Sequence, residues 1–168
     1  MRRISLPLLS AAAIVFASGT ALAQAKPNFS GKWTLLPDTA AVQLQGISPG
    51  GAEMGGLASE AVISQDDKTI TIKRMTPNMG EMVSVFNLDG SETYANVNVQ
   101  GQAIPLTMKT RWEGNKLITS TWANVGQTIE IILNLSLDDK GNLVTEHIMP
   151  AMGNGMNGGT LISKYKKN

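Results

Sequence analysis

Residues 127–137 read QTIEIILNLSL, and Ile129, Ile131, Leu133, Leu135 and Leu137 all fall on one parity. A period of two puts them on one face of an extended strand. Such a face has to be covered by a second sheet or enclosed by a sheet that curls onto itself.

The rest of the chain keeps the same rhythm. FSGKWTLL, SEAVISQ, KTITIKRM, EMVSVFNL, SETYANVNV, IPLTMKTRW, KLITSTW, LVTEHIM and TLISKYKK are strand-like segments. In KTITIKRM, Ile70 and Ile72 alternate with Thr69, Thr71 and Lys73. Turn signals lie between the segments: Asp66 and Asp67, Asp89-Gly90, Glu113 to Asn115, and DDKGN. Asp89-Gly90 is a hairpin signal, predicting that its flanking strands pair. About nine or ten strands at this spacing predict an all-β antiparallel fold, a sandwich or an up-and-down barrel of roughly 8–10 strands. The first and last segments are both strand-like, and in a barrel they pair and remove open edges.

The N-terminus has a different composition. Arg2 and Arg3 precede a mostly apolar run from Ile4 to Ala17, followed by small residues ending in ALA or AQA. This is the layout of a cleavable secretory signal over residues 1–25. It leaves residues 26–168 as one domain, exported to the periplasm or secreted. With Arg2 and Arg3 gone, Lys+Arg falls from 14 to 12 against Asp+Glu 13, a net charge near −1. The basic tail KYKKN is only three lysines at a chain end, which argues against a nucleic-acid partner. After the leader, no run is long enough to span a bilayer. The chain has no cysteine, so neither a lipid-modified cysteine nor a disulfide holds it, and its core has to suffice.

FSGKW soon after a leader resembles the Gly-x-Trp opening of lipocalin-like proteins. NFSGKWTLLPD, DGSETY, TRWEGNKLITSTW, LSLDDKGNLVTEH and SKYKK are similar to segments of small bacterial exported lipocalin-like (calycin-type) barrel proteins. The resemblance covers most of the chain after the leader. It implies a barrel with a central cavity, Gly31 permitting close approach and Trp33 plugging the closed end. It also implies a late basic residue over that tryptophan, with Lys164 and Lys166 the candidates by position. The long glycine-rich stretch from Gly46 to Gly56 departs from the pattern.

Strand parity nominates the interior. Ile129, Ile131, Leu133 and Leu135 form one inward set; Leu106, Met108, Thr110 and Trp112 another; Ile118, Ser120 and Trp122 a third. Met108, Trp112, Ile118, Trp122, Ile131 and Leu133 are therefore candidate ligand contacts, with Met79 and Met152 gating one end. Lys109 and Arg111 share the opposite parity, either a solvated outer face or a cationic spot for a carboxylate.

Methionine supplies the second candidate. MTPNMGEM holds Met75, Met79 and Met82; HIMPAMGNGM holds Met149, Met152 and Met156 just after the only histidine, His147. Thioethers suit Cu(I), with His147 as a nitrogen ligand. The same residues serve equally as flexible apolar packing over a mouth. A shared site requires both loops to meet at one end of the barrel.

Catalytic signatures are missing: no G-x-S-x-G, no H-E-x-x-H and no phosphate loop. Adjacent Glu146 and His147 point oppositely on a strand and form no dyad. The expectation is a non-enzymatic exported barrel, needing no cofactor, that binds a small apolar or amphipathic molecule. The alternatives are a Met-rich Cu(I)-binding protein and a filled barrel acting as an interaction module.

Overall fold

The computed structural model describes residues 25–36, 56–76, 80–99, 101–124, 126–151 and 158–168. Ten strands follow one another: β1 (Gly31–Leu35), β2 (Glu60–Gln65), β3 (Thr69–Thr76), β4 (Gly80–Asn87), β5 (Thr93–Val99), β6 (Gln102–Glu113), β7 (Lys116–Asn124), β8 (Thr128–Leu137), β9 (Leu143–Met149) and β10 (Gly159–Lys167). Among the described residues there is no helix. The leader expected over residues 1–25 lies, but for Ala25, outside the described residues.

All neighbours are antiparallel, in the order β4-β3-β2-β1-β10-β9-β8-β7-β6-β5. The fold is a nearly closed up-and-down barrel. As expected from their sequences, the first and last strands pair, with Trp33 opposite Lys167 and Leu35 opposite Tyr165.

The break in the ring falls elsewhere. β4 and β5 flank the Asp89-Gly90 turn, yet β4 pairs with β3 and β5 with β6. The expected hairpin is a corner instead. Its hydrogen bonds run through side chains. Asn87 N–H donates to Thr93 Oγ1 at 3.3 Å, and Asn87 Nδ2 donates to Ser91 Oγ at 3.0 Å. Asp89 Oδ1 accepts from Ser91 N–H at 2.8 Å. The Thr110 hydroxyl, from β6, donates to the Asn87 carbonyl. Side chains thus occupy backbone groups that would start the ladder, and the strands diverge.

Topology gives the barrel two unlike ends. The turns at 66–68, 88–92, 114–115 and 138–142 lie at one end, together with the approach to β1 and the exit from β10. That end is plugged. Trp33 is 1% exposed, beside fully buried Phe29, Leu117 and Leu143. Its indole N–H donates to the Phe29 carbonyl at 2.8 Å. Phe29 stacks on Trp112 with ring centres 6.0 Å apart. Rings of this size dominate a core's apolar burial.

The cation over the tryptophan is Lys167, with Nζ 5.6 Å from the ring centre. Lys164 and Lys166 do not take that place. Register aligns them with Val144 and Thr34 on the outer face, and Lys164 lies 3.8 Å from Asp138. Gly31 has φ +148°, and a Cβ there would come within 2.5 Å of Lys167 Cε. The glycine is needed for its backbone angle, and a Cβ there would make the flexible Lys167 stem shift.

Candidate functional site

The interior is layered. One apolar cluster runs from Phe29, Trp33, Leu117 and Leu143 at the plugged end, through Leu135, to Met108 and Leu133. A second and separate cluster holds Ala123, Ile129 and Ile131, with Ile104 and Leu106 packed against it. These residues sit where β6, β7 and β8 begin or end at the opposite rim. Five polar side chains are buried in the same interior and make a polar belt: Arg74, Thr110, Thr119, Thr145 and His147.

Arg74 is the belt's cation. It follows Ile70 and Ile72 at a spacing of two, so β3 turns it inward with them. It is 6% exposed, and its Nη2 lies 4.0 Å from the Met82 sulfur. Burial pulls its pKa below the ordinary guanidinium value, although arginine stays charged at neutral pH. A cavity of about 50 Å³ adjoins it, lined also by Ser84, Phe86, Met108, Thr121 and Leu133.

His147 faces the same interior from β9, between Leu133 of β8 and Leu161 of β10. It is 2% exposed, and its Nε2 has no hydrogen-bond partner. Burial, and secondarily the Arg74 charge, lower its pKa to about 4. The ring is therefore neutral at neutral pH. Tyr165 lies toward the plug. Burial pushes its pKa up to about 12, and its hydroxyl donates to the Ala58 carbonyl at 3.0 Å.

Of the residues nominated from sequence, Met108, Ile131 and Leu133 line this cavity. Trp112 lies with the plug, half-buried against the first cluster. Ile118 and Trp122 belong to the outer face, which corrects their expected inward parity. Register places Ile118 between Arg111 and Asn134, and Trp122 between Thr107 and Glu130. Glu113 pairs with Lys116 across a two-residue turn, so Trp112 faces Leu117 and the inward set is Leu117, Thr119, Thr121 and Ala123. Arg111 lies outside and exposed, 2.9 Å from Glu113.

Glu146 and His147 do point oppositely. Glu146 accepts from Asn134 Nδ2 at 2.8 Å on the outer face and lies 3.0 Å from Lys116. These contacts hold its carboxyl below the usual range.

Met79, Met152 and Met156 lie outside the described residues. The strands that flank them do not. β3 ends at Thr76 and β4 begins at Gly80; β9 ends at Met149 and β10 begins at Gly159. All four strand ends lie at the rim away from the plug, so both Met-bearing connections leave from one end. Met149 is buried on the inward face with His147, whereas Met75 is 61% exposed on the outer face. Among the described residues, no group of three or more His, Cys, Asp or Glu is placed to hold a metal ion.

Arg74 and Tyr165 were not nominated from sequence. For Arg74 the signal was present, as a cation on the apolar parity of KTITIKRM. Tyr165 holds the matching place in SKYKK, two residues after inward Ser163.

No protein-family model matches the sequence, and no curated protein sequence matches it. In fold, the chain is similar to the crystal structure of secretory abundant heat soluble protein 4 from Ramazzottius varieornatus. The TM-score is 0.51 at 18% identity, over 83% of this chain and 94% of that one.

Proposed function

We propose that this chain is an exported, lipocalin-like barrel protein that binds one small apolar or amphipathic molecule in the half of its interior facing the open rim. It acts by binding rather than catalysis, in the periplasm or outside the cell. The observation that carries this reading is the split interior. A filled barrel is most simply built around one continuous apolar core. Here a second apolar cluster, Ala123, Ile129 and Ile131 with Ile104 and Leu106, stands separately at the rim, and Ile131 lines a small cavity together with Thr119, Thr121 and Arg74. An amphipathic molecule matches these surfaces, with its apolar part on the cluster and a polar group toward the cavity's polar side chains. Met108, Ile131 and Leu133 are its inner contacts, and Met79 and Met152 belong to the loops that would cover it. Native mass spectrometry of the protein purified from its own host tests the reading. A co-purifying small mass is expected, and repeatedly empty spectra would favour an interaction module.

The Cu(I) reading has one observation in its favour: His147 and Met149 share an inward face below the rim from which both Met-bearing connections leave. The Arg74 charge beside His147 works against it, because a guanidinium repels a bound cation.

A further inference from the structure

We infer that the outer face of β3 and β4 is a docking surface for a second copy of this chain, forming a two-fold dimer centred on Met75 and Val83. The inference stands apart from whatever the barrel holds.

The first observation is apolar surface on the side of the sheet that meets solvent. Among the described residues, four of the seven exposed large apolar side chains, Val62, Met75, Val83 and Val85, stand on the adjacent strands β2, β3 and β4. A contiguous exposed apolar patch marks an interaction site, whereas scattered single residues do not. β4 is also the free edge at the seam, and its middle carries Val83 and Val85 rather than the lysines or prolines that keep other chains away from an edge.

The second observation is the placement of charge within the patch. Register sets Lys73 beside Val83 and Met75 beside Glu81. Neighbouring strands lie about 4.8 Å apart and same-face positions about 7 Å apart, so these four outward residues make a small rectangle. Lys73 and Glu81 hold one diagonal, Met75 and Val83 the other. Among the described residues, neither Lys73 nor Glu81 has an ion-pair partner. The neighbouring Glu60 is held by Lys32 at 3.1 Å.

That rectangle is complementary to itself. A two-fold axis in the plane of contact, running along the Met75–Val83 diagonal, brings Lys73 of each copy to Glu81 of the other. Met75 and Val83 then meet their own counterparts, as an isologous contact requires. The third observation is space for the longest of these side chains. A concave site of about 230 Å³ lies among Lys32, Glu60, Val62, Lys73, Met75 and Glu81. It can seat Met75 of the second copy, and an unbranched thioether adapts to such a gap.

Sedimentation velocity of residues 26–168, run over the micromolar range near neutral pH, tests this. A contact of this size belongs to the weak, transient class, so the mass should rise from one chain to two with concentration. Lys73→Glu sets like charges together at both symmetric positions and should raise the dimer dissociation constant at least about tenfold, as should Glu81→Lys. Combining the two restores opposite charges and should return the constant to within about threefold of the unmodified chain. Both positions are exposed, and thermal melts at low concentration separate a lost contact from a lost fold. A single-chain mass at every concentration would overturn the inference. A dimer indifferent to the single exchanges would also overturn it, by placing the contact on another face, and so would a double variant no tighter than the singles.

Discussion

His147 of β9 and Arg74 of β3 share the barrel interior, where burial first and the guanidinium charge second disfavour a proton on the imidazole. Together they lower the imidazole pKa from 6.5 to about 4. In the unfolded chain that histidine takes up a proton as pH falls through about 6.5, while in the folded protein it does not until about 4.

The linkage has one sign. Between those two values the unfolded state binds more protons, so stability rises with pH and is lost on acidification from about 6.5 toward 4. The full loss is about 3 kcal/mol. Denaturant melts from pH 7.5 to 4.5 should show it, and His147→Phe should flatten the profile over that window. Asp66, Asp89, Asp138 and Glu146 have lowered pKa values. Their contributions are present above the ordinary carboxylate range and are lost as pH falls through it, so they overlap only the acid end of the histidine window. An equally steep profile in His147→Phe would remove the histidine from the explanation.

Gly31 and Lys167 make a second coupled pair. Gly31→Ala should destabilise the fold by about 1–3 kcal/mol, combining the strain of φ +148° with the Lys167 contact. Adding Lys167→Ala relieves the contact and leaves the backbone strain, so the double variant should recover only part of the loss. Additive losses in a double-mutant cycle would show that the lysine stem does not share that space.

The open seam should be visible in hydrogen exchange. β8 is paired on both sides, while β4 and β5 each have one ladder partner. Amides on the seam side of β4 and β5 should exchange well before those of β8. Protection equal to that of β8 would mean that β4 and β5 pair in solution.

Much of the fold was legible in the sequence, because period-two strands and tight turns are local. The antiparallel meander and the β1–β10 closure follow from those signals. The seam was not legible, since Asp89-Gly90 looks like a hairpin until Asn87, Thr93 and Thr110 claim the groups a ladder would use. In β7 the bulky residues Ile118 and Trp122 suggest an inward parity that the register does not give them. A two-residue turn at Gly114-Asn115 already forces Trp112 opposite Leu117, so turn length was the better guide. A charged residue on a strand suggests the solvent face, and nothing but parity marks Arg74 as inward. Its parity with Ile70 and Ile72 says otherwise.

The metal reading places a cation beside Arg74. Anaerobic titration with Cu(I) should give no saturable binding, because the guanidinium charge near His147 repels a bound cation. Saturable binding that disappears when Met149, Met152 and Met156 are changed to leucine would support the metal function, since leucine keeps the apolar bulk and removes sulfur.

The most direct test of a ligand inside the barrel uses the alternation within single strands. Decanoate is titrated into protein with labelled isoleucine and leucine methyl groups. Ile129, Ile131 and Leu133 face inward, while Ile118, Ile132 and Ile148 face outward on the same or neighbouring strands. The proposed function predicts saturable shifts at Ile129, Ile131 and Leu133, with Ile118, Ile132 and Ile148 unmoved. Shifts confined to the outward set, or no shifts in either, would contradict it.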